Sequence, residues 1–194
     1  MPSGTDRCGT NGDAGPSSGI TSPNLIVDGD AEMNAEDSGL SAWSWTGGAT
    51  ESPYGAPYAP TLTDPGPPDR GNNLFIGGGE SWFLQTIDVS EYATPIDAGS
   101  VTYTLDGWLG GYLGSNNYAK LIVTFRDSGG ATLDTESIGP VLPADRQNAT
   151  GLFERTKSCH VPQGARSVAL VLELTGSDEN SACADNLSLT FTGI

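Results

Sequence analysis

The chain has 194 residues, with 24 acidic against 8 basic side chains and a formal net charge of -16. Such acidity repels phosphate backbones and anionic lipid headgroups, which excludes nucleic acid and membrane surfaces as partners. It agrees with solubility outside the cell and with binding of a divalent cation. Charged residues make up only 16%, while glycine reaches 27 and proline 13, a composition of short strands and tight turns in a single domain. No apolar run approaches the ~18 residues of a membrane-spanning helix, so no membrane insertion is expected. The N-terminus lacks the basic and apolar segments of a signal peptide, so either a leader has already been removed or the protein is cytosolic.

Residues 1–23, MPSGTDRCGTNGDAGPSSGITSP, are rich in Gly, Ser, Pro and Thr. They read as a tail with one anchor, Cys8, ahead of a domain over 24–194. Strands are predicted at 25–27, 42–45, 81–89, 100–108, 119–127, 152–160, 167–175 and 186–192. The turn signals GGGE, IDAGS, RDSGGA, VPQGA and TGSDE separate them. Residues 52–73 form a Pro-rich loop. VTYTL and KLIVTF alternate apolar and polar residues, whereas SVALVLEL is apolar on both faces, as a central strand is. Eight strands at this spacing predict an all-β fold, a two-sheet antiparallel sandwich with jelly-roll connections, and no long helix.

NLIVDGDAE, followed by Trp and Gly, resembles the opening of galactose-binding-domain-like jelly rolls, among them many carbohydrate-binding modules. ADNLSLTF resembles their closing strand. LDGWLGGY, VTFRDSGGATL, GPVLPADRQNATGL and VPQGARSVALVLEL are similar to secreted bacterial modules of this type. The resemblance spans 24–194. Cys159, Cys183 and the long Pro-rich loop depart from it. It implies a secreted, non-catalytic, lectin-like module whose partner is a glycan or polysaccharide, although a fold does not fix a ligand. The alternative is a structural or adhesive extracellular protein, self-associating by docking its tail onto a neighbour's sheet edge.

In a jelly roll the first and last strands are antiparallel neighbours, so DGDAE lies beside ADN. Related jelly rolls carry a structural calcium there, and the cation takes ~6–8 oxygen ligands. The resemblance implies Glu32 and Asp185 as its main side-chain ligands, with Asp30 and Asp28 beside them. Asp30 alternatively caps a turn, and all four are alternatively solvated turn acids.

Sugar sites combine an aromatic platform with amides and carboxylates that bond hydroxyls. Trp108, Tyr112, Asn116, Asn117 and Tyr118 fall within one strand-loop-strand segment, and Trp43 and Trp45 share a face if they lie in a strand. Tyr54 and Tyr58, from the Pro-rich loop, add a wall to the same cleft. The alternative for the tryptophans is the core. His160, the only histidine, has no nucleophile pattern around it, and three scattered cysteines give no zinc spacing. No catalytic residue is therefore assigned. Sequons stand at Asn148, in a loop, and at Asn186, at the start of a strand.

Three cysteines leave at least one unpaired. In jelly-roll order Cys159 lies at the end of the sandwich where the tail enters. Cys183 then lies ~20 Å away, beyond the ~7 Å a disulfide spans. Cys8 is therefore expected to pair with Cys159, in an oxidising compartment, leaving Cys183 free and buried.

Overall fold

The computed structural model describes Cys8 and residues 19–32, 42–176 and 181–194. Most of the tail expected over 1–23 lies outside the described residues, as does the end of the TGSDE turn. Among the described residues ten strands form: β1 (Ser44–Thr46), β2 (Thr50–Pro53), β3 (Asn73–Gly77), β4 (Glu80–Asp88), β5 (Thr102–Gly111), β6 (Tyr118–Arg126), β7 (Thr132–Ile138), β8 (Gly151–His160), β9 (Ser167–Thr175) and β10 (Ala182–Thr192). One short helix, α1 (Ala93–Asp97), joins β4 to β5. The strands make two five-stranded antiparallel sheets, ordered β1-β4-β9-β6-β7 and β2-β3-β10-β5-β8.

Period-two patterning drives the inward residues of both sheets into one core. Leu121, Val123 and Phe125 of β6 meet Tyr103, Leu105 and Leu109 of β5, all essentially without solvent exposure. Trp43, Phe75 and Phe83 interlock edge-on, with ring centroids 5.0 to 6.1 Å apart. Each buried aromatic stabilises by roughly 2–3 kcal/mol through the area it removes from water.

Three strands beyond the expected eight appear, and each hides its signal for a physical reason. β2 (TESP) has no apolar residue, because it is a sheet edge. β7 (TLDTESI) is an edge strand too. In β3 (NLFIG) every central residue is apolar because both faces are covered. Phe75 enters the main core, whereas Leu74 and Ile76 pack on the opposite face with Ala59, Leu152 and Cys183, under the Pro-rich loop.

The strand expected at 25–27 is not a ladder strand, but its neighbour relation holds. Backbone bonds run from Ser22 to Phe191, from Leu25 to Leu189 and from Leu187 back to Gly29. Side chains supply the rest: Asn24 Oδ1 accepts from the Ile26 and Leu189 amides, and the Gln85 amide bonds Val27 in both directions. These side chains occupy the positions that a regular ladder would fill with backbone groups.

Cys8 and Cys159 form a disulfide with Cα atoms 4.5 Å apart, and Cys183 is free and buried. Cys159 stands opposite Tyr103 and Cys183 opposite Gly110, near the two ends of β5, about 23 Å apart at ~3.3 Å per residue. The described residues contain no helix long and apolar enough to cross a membrane.

Candidate functional site

Three of the four acids named from the sequence, Asp28, Asp30 and Glu32, line an open pocket of about 550 Å³ together with Asp69 and Asn186, while Asp185 is buried beside Asn186 and is not part of the lining. The local backbone is forced. Asp28, Ala31 and Asn186 hold left-handed φ of 53°, 54° and 47°. At Gly29 any Cβ would fall 2.1 Å from the Leu187 carbonyl, so only glycine lets the turn dock on β10. Asp185 alternates with Cys183 on the face of β10 turned away from the main core, and the register shift between Asp185 and Ser188 then brings Leu187 inward after Ala184.

Each acid has specific partners. Glu32 accepts from the Asn72 and Asn73 amides at 2.6 Å and from Asn72 Nδ2 at 3.2 Å. Asp185 is fully buried and accepts from the Tyr54 hydroxyl at 2.5 Å and its neighbour's amide, Asn186, at 2.7 Å. Glu51 on β2 joins the group and was not singled out from the sequence, where TESP carries no motif. Burial, followed by a hydrogen bond and like charge from Asp28 and then the charges of Glu32 and Asp30, pushes its carboxyl up to about 8. Burial also raises Asp185 to about 7; Tyr54 and Asn186 oppose this, and Asp30 and Glu32 add to it. The donors are all hard oxygens that repel one another, which is the chemistry a calcium ion accepts. As they stand, no three such side chains among the described residues converge on one point.

The aromatic and amide residues do not share one cleft. Trp108 and Tyr54 pack on the covered face of β2-β3-β10-β5-β8, against Leu74, Ile76 and Cys183. Arg70 holds the Pro-rich loop there through the Pro67, Thr61 and Asp64 carbonyls and lies 5.4 Å over the Tyr54 ring. Trp43 is core, while Trp45 is 53% exposed on edge strand β1. Tyr112 sets its ring against Tyr58, Asn116 is exposed and Asn117 is buried.

Tyr118 lies elsewhere, on the outer face of β1-β4-β9-β6-β7. There Trp82, Glu173 and Lys120 stand side by side across β4, β9 and β6, with Glu80, Thr175 and Tyr118 in the next row. Trp82 is 42% exposed, and Lys120 approaches Glu173 to 4.0 Å. The rows beyond are short or apolar: Leu84, Val171 and Ile122, then Thr86, Ala169 and Thr124. The face ends in a depression of about 630 Å³ lined by Asp88, Ser90, Asp127, Ser128 and Arg166. Sequence reasoning missed Trp82, although SWFLQT alternates in a way that puts Trp82 opposite the buried Phe83.

Two five-stranded sheets, closed by an N-terminal segment against the last strand, define a jelly-roll β-sandwich. Among solved structures the chain is similar to a family 16 carbohydrate-binding module, with TM-score 0.54 and 18% identity over 86% of this chain and 99% of that one. It is also similar to the enzymatically active domain of bacteriophage CBA120 tailspike protein 4, with TM-score 0.53 and 15% identity over 86% of this chain. The chain spans only 21% of that tailspike structure. At these identities the likeness is one of fold. No protein-family model and no curated protein sequence matches the chain.

Proposed function

We propose that the protein is an extracellular, non-catalytic carbohydrate-binding module that holds its glycan on the outer face of β1-β4-β9-β6-β7. The observation that carries this reading is the exposed Trp82 beside Glu173 and Lys120, with Tyr118 one row away. Strand spacing puts Tyr118 two strands, or about 10 Å, to the side of Trp82. A sugar ring stacks its apolar face on such an indole, and the charged pair and Thr175 bond its hydroxyls. The polar depression at the far end extends the groove. The disulfide supports an oxidising, extracellular location.

A structural calcium belongs to the same reading. Asp28, Asp30, Glu32 and Asp185 would hold it, with Glu51 as a further oxygen donor; its charge would relieve the carboxylate repulsion, and it would take no part in chemistry.

A glycan array on the calcium-loaded protein tests the reading. Trp82→Ala and Glu173→Gln are each expected to abolish binding without changing the melting temperature. Absence of any bound glycan, or binding untouched by both changes, overturns it. Chelator should lower the melting temperature, and Asp185→Asn should mimic chelation. An unchanged melting temperature, with no metal by elemental analysis, removes the calcium.

A further inference from the structure

The Pro-rich loop contains the stretch TLTDPGPPDR, and in it Asp64–Pro65, the only Asp–Pro bond in the chain. Two properties make such a bond open to attack from within. An aspartate carboxylate closes a five-membered ring when it adds to its own carbonyl carbon, and an intramolecular nucleophile needs no diffusional encounter. The nitrogen that departs belongs to proline, which carries two alkyl substituents and takes up a proton more readily than other peptide nitrogens.

The loop arranges groups around this bond. Asp64 Oδ2 accepts from the Thr61 amide at 2.7 Å and from the Thr61 hydroxyl at 2.8 Å. These bonds fix one carboxylate oxygen, while the other, Oδ1, accepts no hydrogen bond among the described residues. The Asp64 carbonyl oxygen, where negative charge develops during attack, accepts from Arg70 Nη1 at 2.9 Å. The same nitrogen donates to the Thr61 carbonyl at 3.2 Å, and Nε donates to that of Pro67 at 2.8 Å. Arg70 forms no ion pair among the described residues, so its charge is directed at neutral carbonyls and at the Tyr54 ring. A cation held on a carbonyl oxygen stabilises more once that oxygen becomes an anion. On the departing side Pro65 is exposed to solvent, and its carbonyl accepts from the Leu152 amide of β8 at 2.8 Å. Both halves of the loop are thus held independently of the bond between them.

We propose that Asp64–Pro65 is a self-cleaving bond, with the Asp64 carboxylate as nucleophile and Arg70 as the group that stabilises the oxyanion. Asp64 Oδ1 adds to the Asp64 carbonyl carbon, and the carbonyl oxygen takes the negative charge beside Arg70. The carbon–nitrogen bond breaks as the Pro65 nitrogen takes a proton from water. A second water opens the cyclic anhydride left on Asp64, which restores the side-chain carboxylate and creates a C-terminal one. The net change is hydrolysis of one peptide bond, a single self-processing event without turnover. The cut falls between Cys8 and Cys159, so the disulfide keeps fragments 1–64 and 65–194 joined. It frees one end of the segment that packs Tyr54, Ala56 and Ala59 over Trp108 and Leu74. The proposal does not rest on the glycan reading of the sheet face.

The test incubates the full chain at pH 5 and at pH 7 and follows it by mass spectrometry and by gels with and without reductant. Fragments 1–64 and 65–194, with masses summing to the intact mass plus one water, should separate only under reducing conditions. Cleavage should be faster at pH 5, because the leaving nitrogen takes its proton from solvent. Asp64→Ala should abolish it. Arg70→Met should slow it about a hundredfold, and Arg70→Lys should recover part of the rate. The unaltered chain unfolded in guanidinium chloride at the same pH measures the bond without its surroundings, and the folded chain should cleave about tenfold faster or more. No fragments, a cut at another bond, or a folded chain that cleaves no faster than the unfolded one overturns the proposal.

Discussion

The acid pocket and the loop end, where loops 54–60, 112–117 and 146–150 meet, solve opposite electrostatic problems. At the pocket, half-buried Glu51 and buried Asp185 lie near further acids, and the charged neighbours that raise them are other carboxylates. At the loop end a single buried cation, Arg146, sits among three backbone carbonyls and forms no ion pair among the described residues. The seven non-glycine residues with left-handed φ among the described residues divide between these regions, three at the pocket and four at the loops. Carbonyl dipoles stabilise a buried cation from within the chain, whereas like carboxylates need a proton or a metal ion from outside. One region is therefore self-sufficient and the other depends on its solvent.

Removing the guanidinium should have the largest effect. Arg146→Met leaves three buried carbonyls without donors and is expected to cost about 3 kcal/mol in denaturant unfolding. A cost below ~1 kcal/mol would show that the loops hold themselves. Cys8 tests a different link: Cys8→Ser opens the disulfide, with an expected loss of about 2 kcal/mol.

A pH series sharpens the contrast next. Glu51 and Asp185 have folded-state values near 8 and 7, above those of the unfolded chain. Such raised carboxyls add stability that is complete below about pH 4 and is lost as pH rises through about 7 to 8. In chelator, the melting temperature should fall by several degrees between pH 5 and pH 9. Glu51→Gln should flatten that fall, and saturating calcium should reverse it. A chelated protein more stable at pH 9 than at pH 5 would refute the picture of mutually repelling acids. The smallest effect is Tyr54→Phe, about 1 kcal/mol, from loss of the hydrogen bond that the Tyr54 hydroxyl donates to Asp185. That loss should vanish in calcium if the ion takes over the carboxylate.

Much of the fold was legible because burial writes itself into strands with period two. The segment 167–175 was read with its observed bounds, and 81–89 within one residue at each end. Edge strands β2 and β7 left little trace, since strands with one open side need few apolar residues. β10 begins at Ala182, four residues before the alternation after Asn186 suggests, because its first residues are small ones between β3 and β5. Asp28, Asp30 and Glu32 were visible as a motif. Glu51 was not, for it comes to them only through the pairing of β2 with β3.

The sequence by itself determined the all-β class, the antiparallel meeting of the first segment with the last strand, and the pairing of Cys8 with Cys159. Each follows from periodicity, chain order and reach, which are local or one-dimensional quantities. Tertiary structure alone decided which aromatic residues face solvent. Trp108 is covered because the Pro-rich loop, which carries Tyr54 and is held by Arg70, folds over its sheet, and Trp82 is open because nothing among the described residues covers its own. An aromatic residue on a strand carries the same sequence signal in either place. Only the path of a distant loop, fixed by the sum of many weak contacts, separates a second core from a binding face.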